Sequence, residues 1–573
     1  MAFKNRKKNY PLYQTTKFDN VRTMIENVTR RYPDRNALSF KKKASDKEIL
    51  HYTYAQCREY VRELATEMTA QGLCNKTVAI IGEASPEWVF SYFASMSMGA
   101  ITVPIDKELP LPDTASIINT AECEYVFFTD KIYEKINELK PLAPTLKSFV
   151  SMGADAIDGA TALSSLVASG EARVQAGDNS YLEYSIDTEG LASIVFTSGT
   201  TGKGKGVMLS QKAILSNISA SVPYIDYSEK TIGVLPPHHT YGSTILFLGH
   251  TIIGAEVYIS AGLRYITKEL KEIKPGHLVL VPLYLETFYR KILANVKEQG
   301  KEKLLFNMIK MSNALLKVGI DQRKKLFSSI RNAFGGEIKT IISGGAPINP
   351  EILAFFEAIG ISTLNGYGIT ECSPLIAFNR SLNIVPGSVG NVIDIDHVII
   401  DEPNEEGEGE ILVKGPNVML GYYKDEEATA EAITDDGYFR TGDYGKLDEN
   451  NILYITGRKK NLIILSNGKN VYPEEIENEL IATPGVLEII VYEGISKRGI
   501  AHNAIVAEVF PDNEYCEKNN ITDIKTHLKK YIDDYNRTAV PYKKIALLKI
   551  RNEEFPKNTL RKTMRFKIDT TID

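Results

Sequence analysis

Thr197-Ser-Gly-Thr-Thr-Gly-Lys-Gly-Lys-Gly206 follows an apolar run, Leu191 to Phe196, whose length and composition predict a buried strand. Glycines let backbone N–H groups approach an anion closely, hydroxyls donate to its oxygens, and lysines neutralise its charge. Thr197, Ser198, Gly199, Thr200, Thr201, Gly202 and Lys205 are therefore candidate phosphate contacts. From Gly199 the pattern G-x-x-x-x-G-K-[ST] is almost met. The residue after Lys205 is Gly206, however, so the hydroxyl that holds Mg²⁺ in a P-loop is missing. A Gly/Thr-rich surface turn is the plain alternative, and a P-loop nucleotide switch is the rival chemistry.

Outward from this cradle, strand-like runs alternate with helical patterns: Thr77–Ile81, Ile101–Pro104, Tyr125–Phe128, Thr231–Leu235, His277–Val281 and Lys339–Ile342. That alternation predicts an α/β fold with largely parallel sheets, which place ligands at the carboxyl ends of their strands. The cradle, His238-His239 and Ser343-Gly-Gly-Ala-Pro347 all follow strands, so all three are expected at one crevice. Between 285 and 334, Leu285, Phe288, Tyr289, Ile292, Leu293 and Val296 fall at helical spacing, as do Leu304, Met308, Met311, Leu315 and Val318. These rows predict two or three amphipathic helices, packed on the core by default, with a lipid-accommodating wall as the alternative. A β-rich stretch follows the acidic turn Asp401–Gly407 as far as Arg458. The remainder predicts a small α/β unit with strands near 487–492, 503–509 and 545–550.

A chain of 573 residues exceeds one hydrophobic core, so two or more domains are expected. Hydrophobic content of 43% and charged content of 24% suit a soluble globular protein, and a net charge of −5 gives no reason to expect a nucleic-acid partner. No run of 18 apolar residues predicts a transmembrane segment. Lys4 to Lys8 is basic but precedes no apolar region, so it does not read as a secretory signal. That cluster and Lys41–Lys43 leave peripheral contact with an anionic membrane open, against the plainer reading of solvated charge. Five cysteines, an odd number without metal-type spacing, suit a reducing cytoplasm and free thiols, so a cytoplasmic location is expected.

Further segments carry chemistry in a fixed order. In Asn365-Gly-Tyr-Gly-Ile-Thr-Glu371, Tyr367 offers a flat face for a purine and Gly366 and Gly368 let it lie close. Thr370 can donate to a phosphate, and Glu371 is a hard oxygen ligand suited to Mg²⁺. In Tyr438-Phe-Arg-Thr-Gly-Asp443, an ionised Asp443 can accept two hydrogen bonds, as a ribose diol would supply. Gly457-Arg-Lys-Lys-Asn-Leu-Ile463 and Phe555-Pro-Lys-Asn-Thr-Leu-Arg-Lys562 follow. Zinc-protease and α/β-hydrolase signatures do not occur.

Taken with the cradle, these segments resemble the adenylate-forming superfamily of acyl-CoA synthetases and luciferases over roughly 530 residues. The helical segment and the length make the chain most similar to the long-chain fatty acid–CoA ligases. The resemblance implies a large N-terminal domain, 1–459, of mixed and parallel sheets flanked by helices with a β-rich subdomain. A small mobile α+β C-terminal domain, 460–573, would hinge at Lys460. It also implies ATP-dependent formation of acyl-AMP from a fatty acid, with Mg²⁺, and then transfer to CoA. An acyl-carrier protein as acceptor, or a short-chain or aryl acid as substrate, is the alternative. Gly345, Ala346 and Pro347 would border the nucleotide, Arg458 would contact ribose and phosphate, and His239 would lie beside the reacting carboxyl. Lys562 would be the catalytic lysine, with Lys557 as its competitor, because Asn558 and Arg561 depart from the family's pattern. Gly204 departs from it too, standing where the family usually has proline.

Overall fold

The computed structural model describes residues 11–12, 14–153, 157–197, 204–465, 470–495, 501–557 and 563–572. Strands β1 (Thr77–Ile81), β2 (Ile101–Ile105) and β3 (Leu191–Thr197) run parallel through one sheet, which has eight strands among the described residues. The run predicted as the strand before the cradle is β3. The chain then turns back as β4 (Lys205–Ser210), antiparallel to β3, with Thr197 opposite Lys205. A P-loop passes from strand to helix. Because the segment that follows the cradle is a strand paired antiparallel to β3 and not a helix, the P-loop reading is removed. Ser210 ends β4 and caps the next helix, Gln211–Ser221, by accepting the Ala213 N–H at 3.0 Å.

A second sheet, thirteen strands wide among the described residues, contains β5 (Lys230–Gly233), β6 (His277–Leu280), β7 (Thr340–Ser343) and β8 (Ser362–Gly368), all parallel. β5 ends at Gly233, short of the expected Leu235, just ahead of Pro236-Pro237, which have no N–H to extend a ladder. The strand Glu256–Ile259 flanks β5 on one side and β6 flanks it on the other. The connections after β5 and β6 thus lead away in opposite directions. This is a topological switch point, where open α/β sheets form their crevices. A π-helix, Tyr241–Leu248, starts directly beyond it.

The expected helical segment is four helices: α1 (Pro282–Glu298), α2 (Glu302–Lys317), α3 (Arg323–Leu326) and α4 (Ser328–Ala333), which adjoin α5 (Pro350–Ala358). The row begun by Leu285 and Phe288 is core, and Phe288 meets Phe334 edge-on at 5.2 Å. The second row is a correction. Leu304, Met311 and Val318 are exposed, and only Met308 and Leu315 of that row are half-buried. α2 packs through Leu305, Ile309 and Ser312, together with Met308 of the expected row, so its core face is turned about 100° from Leu304, Met311 and Val318.

Beyond β8 the sheet turns antiparallel and carries β10 (Phe439–Leu447) and β11 (Ile452–Arg458). The two-residue strand β9 (Gly421–Tyr422) instead joins the first sheet, beside β4. From Ile463 onward the residues pack a core of their own, around a sheet of β12 (Val486–Ile495), β13 (Ala501–Pro511) and β14 (Ile545–Ile550), close to the expected strands. All five cysteines are free thiols. Among the described residues, no helix is long and apolar enough to cross a membrane.

Candidate active site

β10 and β11 pair with Asp443 opposite Arg458, and β8 brings Tyr367 beside them. The Tyr367 hydroxyl donates to Asp443 Oδ2 at 2.7 Å, and Arg458 Nε lies 2.9 Å from Asp443 Oδ1. The Asp443 side chain is 3% exposed and that of Arg458 is 46% exposed, so the pair runs from the floor of the crevice to its rim. The Asp443 carboxylate holds the Arg458 guanidinium above its usual range. Burial, and then Asp443, push the Tyr367 hydroxyl well up. Both carboxylate oxygens are engaged within the protein; a carboxylate has about four acceptor sites in all, the capacity that a ribose diol would draw on. Tying down its hydroxyl also fixes the plane of the Tyr367 ring. Gly368 is required where β8 ends, because a Cβ there would stand 2.2 Å from the Pro374 carbonyl oxygen.

Thr370 and Glu371 lie on the short 3₁₀ turn Thr370–Cys372. The turn is held from beneath by two buried asparagines distant in sequence. Asn217, on the capped helix after β4, donates to the Cys372 and Leu375 carbonyls at 3.0 and 2.7 Å; Asn417 donates to the same two at 3.1 and 3.3 Å. The Met419 N–H donates to the Glu371 carbonyl at 2.8 Å. Three residues on, the Tyr422 hydroxyl donates to Glu371 Oε1 at 3.1 Å, while Lys205 Nζ sits 4.7 Å from the Tyr422 ring centre. β9 is pinned to β4 by Leu420 N–H to Met208 O, 2.9 Å, and Tyr423 N–H to Gly206 O, 2.7 Å. One side chain, Tyr422, thus joins the cradle lysine to Glu371. Burial raises the Glu371 carboxyl. A divalent cation beside it would reverse that shift.

At the switch point, His238 Nε2 is 3.6 Å from Asp106 Oδ2, at the carboxyl end of β2, and burial pushes the imidazole down. The His239 ring tilts against His238 at 5.1 Å, and its carbonyl accepts from Ser243 N–H and Oγ at 2.7 and 3.0 Å, which anchors the first turn of the π-helix. The Tyr241 hydroxyl donates to the Leu280 carbonyl of β6 at 3.2 Å and lies near Gly344. Gly345, in a left-handed conformation with φ +85°, turns the chain so that Gly345, Ala346 and Pro347 form an exposed lip after β7.

Of the expected site residues, the structure therefore joins Tyr367, Asp443 and Arg458 by direct contacts and links Glu371 to Lys205 through Tyr422, with Arg458 and Asp443 near enough to act on the Glu371 carboxyl through their charges. Gly366, Gly368 and Thr370 are chain neighbours of Tyr367 and Glu371, and His239 and Gly345–Pro347 sit on the neighbouring strand ends. Thr197 faces Lys205 across the pair of β3 and β4. Lys460 follows Arg458 on an exposed turn. Ser198, Gly199, Thr200, Thr201, Gly202 and Lys562 lie outside the described residues. The competitor Lys557 is committed elsewhere, to Glu488 and, at 3.0 Å, to Glu554. Sequence reasoning missed Tyr422, Asn217 and Asn417. A Gly-Tyr pair after an apolar run was the only local trace of the first, and the asparagines left none.

The family described as AMP-binding enzyme matches residues 25–423. The human long-chain-fatty-acid–CoA ligase 1 is 30% identical over 533 residues, covering 87% of this chain and 75% of the relative. The anthranilate CoA ligase AuaEII, in complex with anthranoyl-AMP, superposes with a TM-score of 0.76 at 19% identity over 98% of this chain and 97% of that one. ATP-bound MatB from Rhodopseudomonas palustris gives 0.72 at 24% identity over 96% and 98%. The last two are likenesses of fold.

Proposed function

Because the chain belongs to the AMP-binding enzyme family and is an AMP-forming acyl-CoA synthetase, we propose that it activates a medium- to long-chain fatty acid and passes the acyl group to CoA. The carboxylate attacks the α-phosphorus of ATP and pyrophosphate leaves. The CoA thiol then attacks the acyl-AMP carbonyl and AMP leaves. The observation that carries the nucleotide reading is the Tyr367–Asp443–Arg458 group beside Glu371 at the mouth of β8. Tyr367 would cover the purine, and Asp443 and Arg458 would take the ribose. Thr370, Lys205 and the cradle hydroxyls would meet the phosphates.

Among the described residues no cluster of three or more His, Cys, Asp and Glu is placed to hold a metal. That fits an ion that arrives with the nucleotide and takes one carboxylate, Glu371, as Mg²⁺ does in phosphate sites. Mg²⁺ would there neutralise charge on the phosphate oxygens.

Residues 460–573 act, in this reading, as a mobile unit turning at Lys460 and delivering Lys562 for the first half-reaction. Two anions must meet in that step, and a cation between them lowers the repulsion. The commitment of Lys557 to two glutamates supports Lys562 in the role. The acyl length is supported by the similarity to long-chain ligases. Each further CH₂ buried is worth about 0.8 kcal/mol, so kcat/KM should climb from butyrate to decanoate.

A carboxylate panel scored by pyrophosphate release, and then by thioester formation with free CoA or an acyl-carrier protein, tests the proposal. Acetate, butyrate or an aryl acid outrunning decanoate and palmitate defeats the chain-length reading. Thioester on the carrier protein alone defeats CoA. Lys562→Ala should cut acyl-AMP formation by about 10²-fold or more and spare thioester formation from supplied acyl-AMP.

A further inference from the structure

Helix α2 presents two rows to solvent. Leu304, Met311 and Val318 stand one above another at seven-residue spacing, with 54%, 47% and 72% of their surfaces exposed, and Ile320 extends the row just beyond the helix. Lys303, Lys310 and Lys317, all exposed, each stand one residue before a member of that row, about 100° around the helix. Lys324 and Lys325 continue the charge onto α3 and are exposed too. Between 301 and 325 there are seven lysines and arginines against two acids, in a chain whose net charge is −5. Arg323 and Asp321 satisfy each other at 2.7 Å, so the exposed charge of the segment is carried by lysines.

We propose that this face of α2 and α3 docks on an anionic lipid bilayer, with Leu304, Met311, Val318 and Ile320 entering the headgroup–acyl boundary and the lysines contacting lipid phosphates. An apolar row edged by lysines is the arrangement that lies in a membrane interface, because lysine stems follow the apolar surface while their ammonium groups reach the headgroups. The face next to it, about 100° around the helix, is taken up by the core, where Leu305, Ile309 and Ser312 are turned. A second copy of this chain is the less suitable occupant: apolar row against apolar row would also bring two lysine rows together, and like charges repel. The proposal stands on this surface alone and is independent of the acyl length the enzyme prefers.

The test uses the full chain and co-sedimentation with phosphatidylcholine vesicles that contain or lack phosphatidylglycerol. The expected result is binding to the phosphatidylglycerol vesicles that weakens as salt is raised, with little binding to phosphatidylcholine alone. Combined Leu304→Gln, Met311→Gln and Val318→Gln should reduce that binding at least about tenfold. Combined Lys303→Gln, Lys310→Gln and Lys317→Gln should do the same. Both variants should keep pyrophosphate release in lipid-free buffer, which confirms that they are folded. No preference for the anionic vesicles overturns the proposal, and so does unchanged binding in either variant. A dimer in sedimentation equilibrium that the glutamine row dissolves assigns the face to a second copy and overturns it equally.

Discussion

In the crevice, polar side chains find partners brought from far along the chain. Tyr367 and Asp443 are 76 residues apart, Tyr422 and Glu371 are 51, and Asn217 reaches a carbonyl 155 residues away. On helix α2 the apolar side chains are aligned by nothing more than helical geometry, and the row with the more regular spacing is the one left in solvent. The difference separates two kinds of information. Periodicity determines which side chains share a face, whereas partners elsewhere in the fold determine which face is buried. Where a partner is polar and buried, removing it is costly; where a row is exposed, changing it costs the fold almost nothing.

The sharpest way to break the crevice is Glu371→Gln. It keeps the shape and a hydrogen bond from Tyr422 but removes the charge proposed to meet the metal. Pyrophosphate release should fall by about 10²-fold, near 2.7 kcal/mol, and the Mg²⁺ concentration for half-maximal rate should rise. A Mg²⁺ titration identical to that of the unaltered enzyme would remove Glu371 from the metal's surroundings.

A second buried group tests whether partnership or charge is what the interior tolerates. His250 and His277 are fully buried, stacked 4.9 Å apart with their Nε2 atoms 2.7 Å from each other, and Ser228 Oγ lies 2.7 Å from His277 Nδ1. Burial pushes His250 down to about 4 and His277 well below its usual range. The unfolded chain takes up protons as pH falls through about 6.5, while the folded chain refuses them until near 4, so stability is lost with acid across that window. From pH 7 to pH 5 the loss should be about 2 kcal/mol for His250 alone, read as a falling Tm. His250→Asn should flatten that slope, and an equal slope in the variant would place the acid sensitivity elsewhere.

Tyr422→Phe should act more gently. It deletes the hydrogen bond from the hydroxyl to the Glu371 carboxylate and keeps the ring under Lys205, so adenylation should drop about fivefold, worth about 1 kcal/mol, with thioester formation from acyl-AMP unchanged. Equal losses in both half-reactions would show a general disturbance of β9 rather than a role for the link.

How much of this was legible in the sequence follows the same division. The strands around Thr77, Ile101, Tyr125, Leu191, His277 and Lys339 were legible because buried parallel strands are short apolar runs. Tyr367, Glu371, Asp443 and Arg458 were legible because each sits in a compact segment whose chemistry is local. Tyr422 and the two asparagines were not, because their meaning depends on contacts across 45 to 158 residues. The orientation of α2 was read wrongly from a good pattern. The helix carries two apolar rows, one starting at Leu304 and one at Leu305, and spacing cannot choose between them.

That choice supplies the smallest effect and the cleanest comparison. Leu304 and Leu305 are neighbours on one helix, chemically identical and about 100° apart around it, one 54% and the other 5% exposed. Leu305→Ala removes packing from the cluster around Phe288 and Phe334 and leaves a cavity, so it should cost about 2–4 kcal/mol. Leu304→Ala removes atoms that already face water and replaces leucine with a slightly better helix former, so its effect should lie within about 0.5 kcal/mol of zero. Denaturant midpoints measured without lipid compare the two directly. A Leu304→Ala loss as large as that of Leu305→Ala would mean that the row is covered in solution, and the two faces of α2 would then no longer differ in the way that leaves one of them free for a membrane.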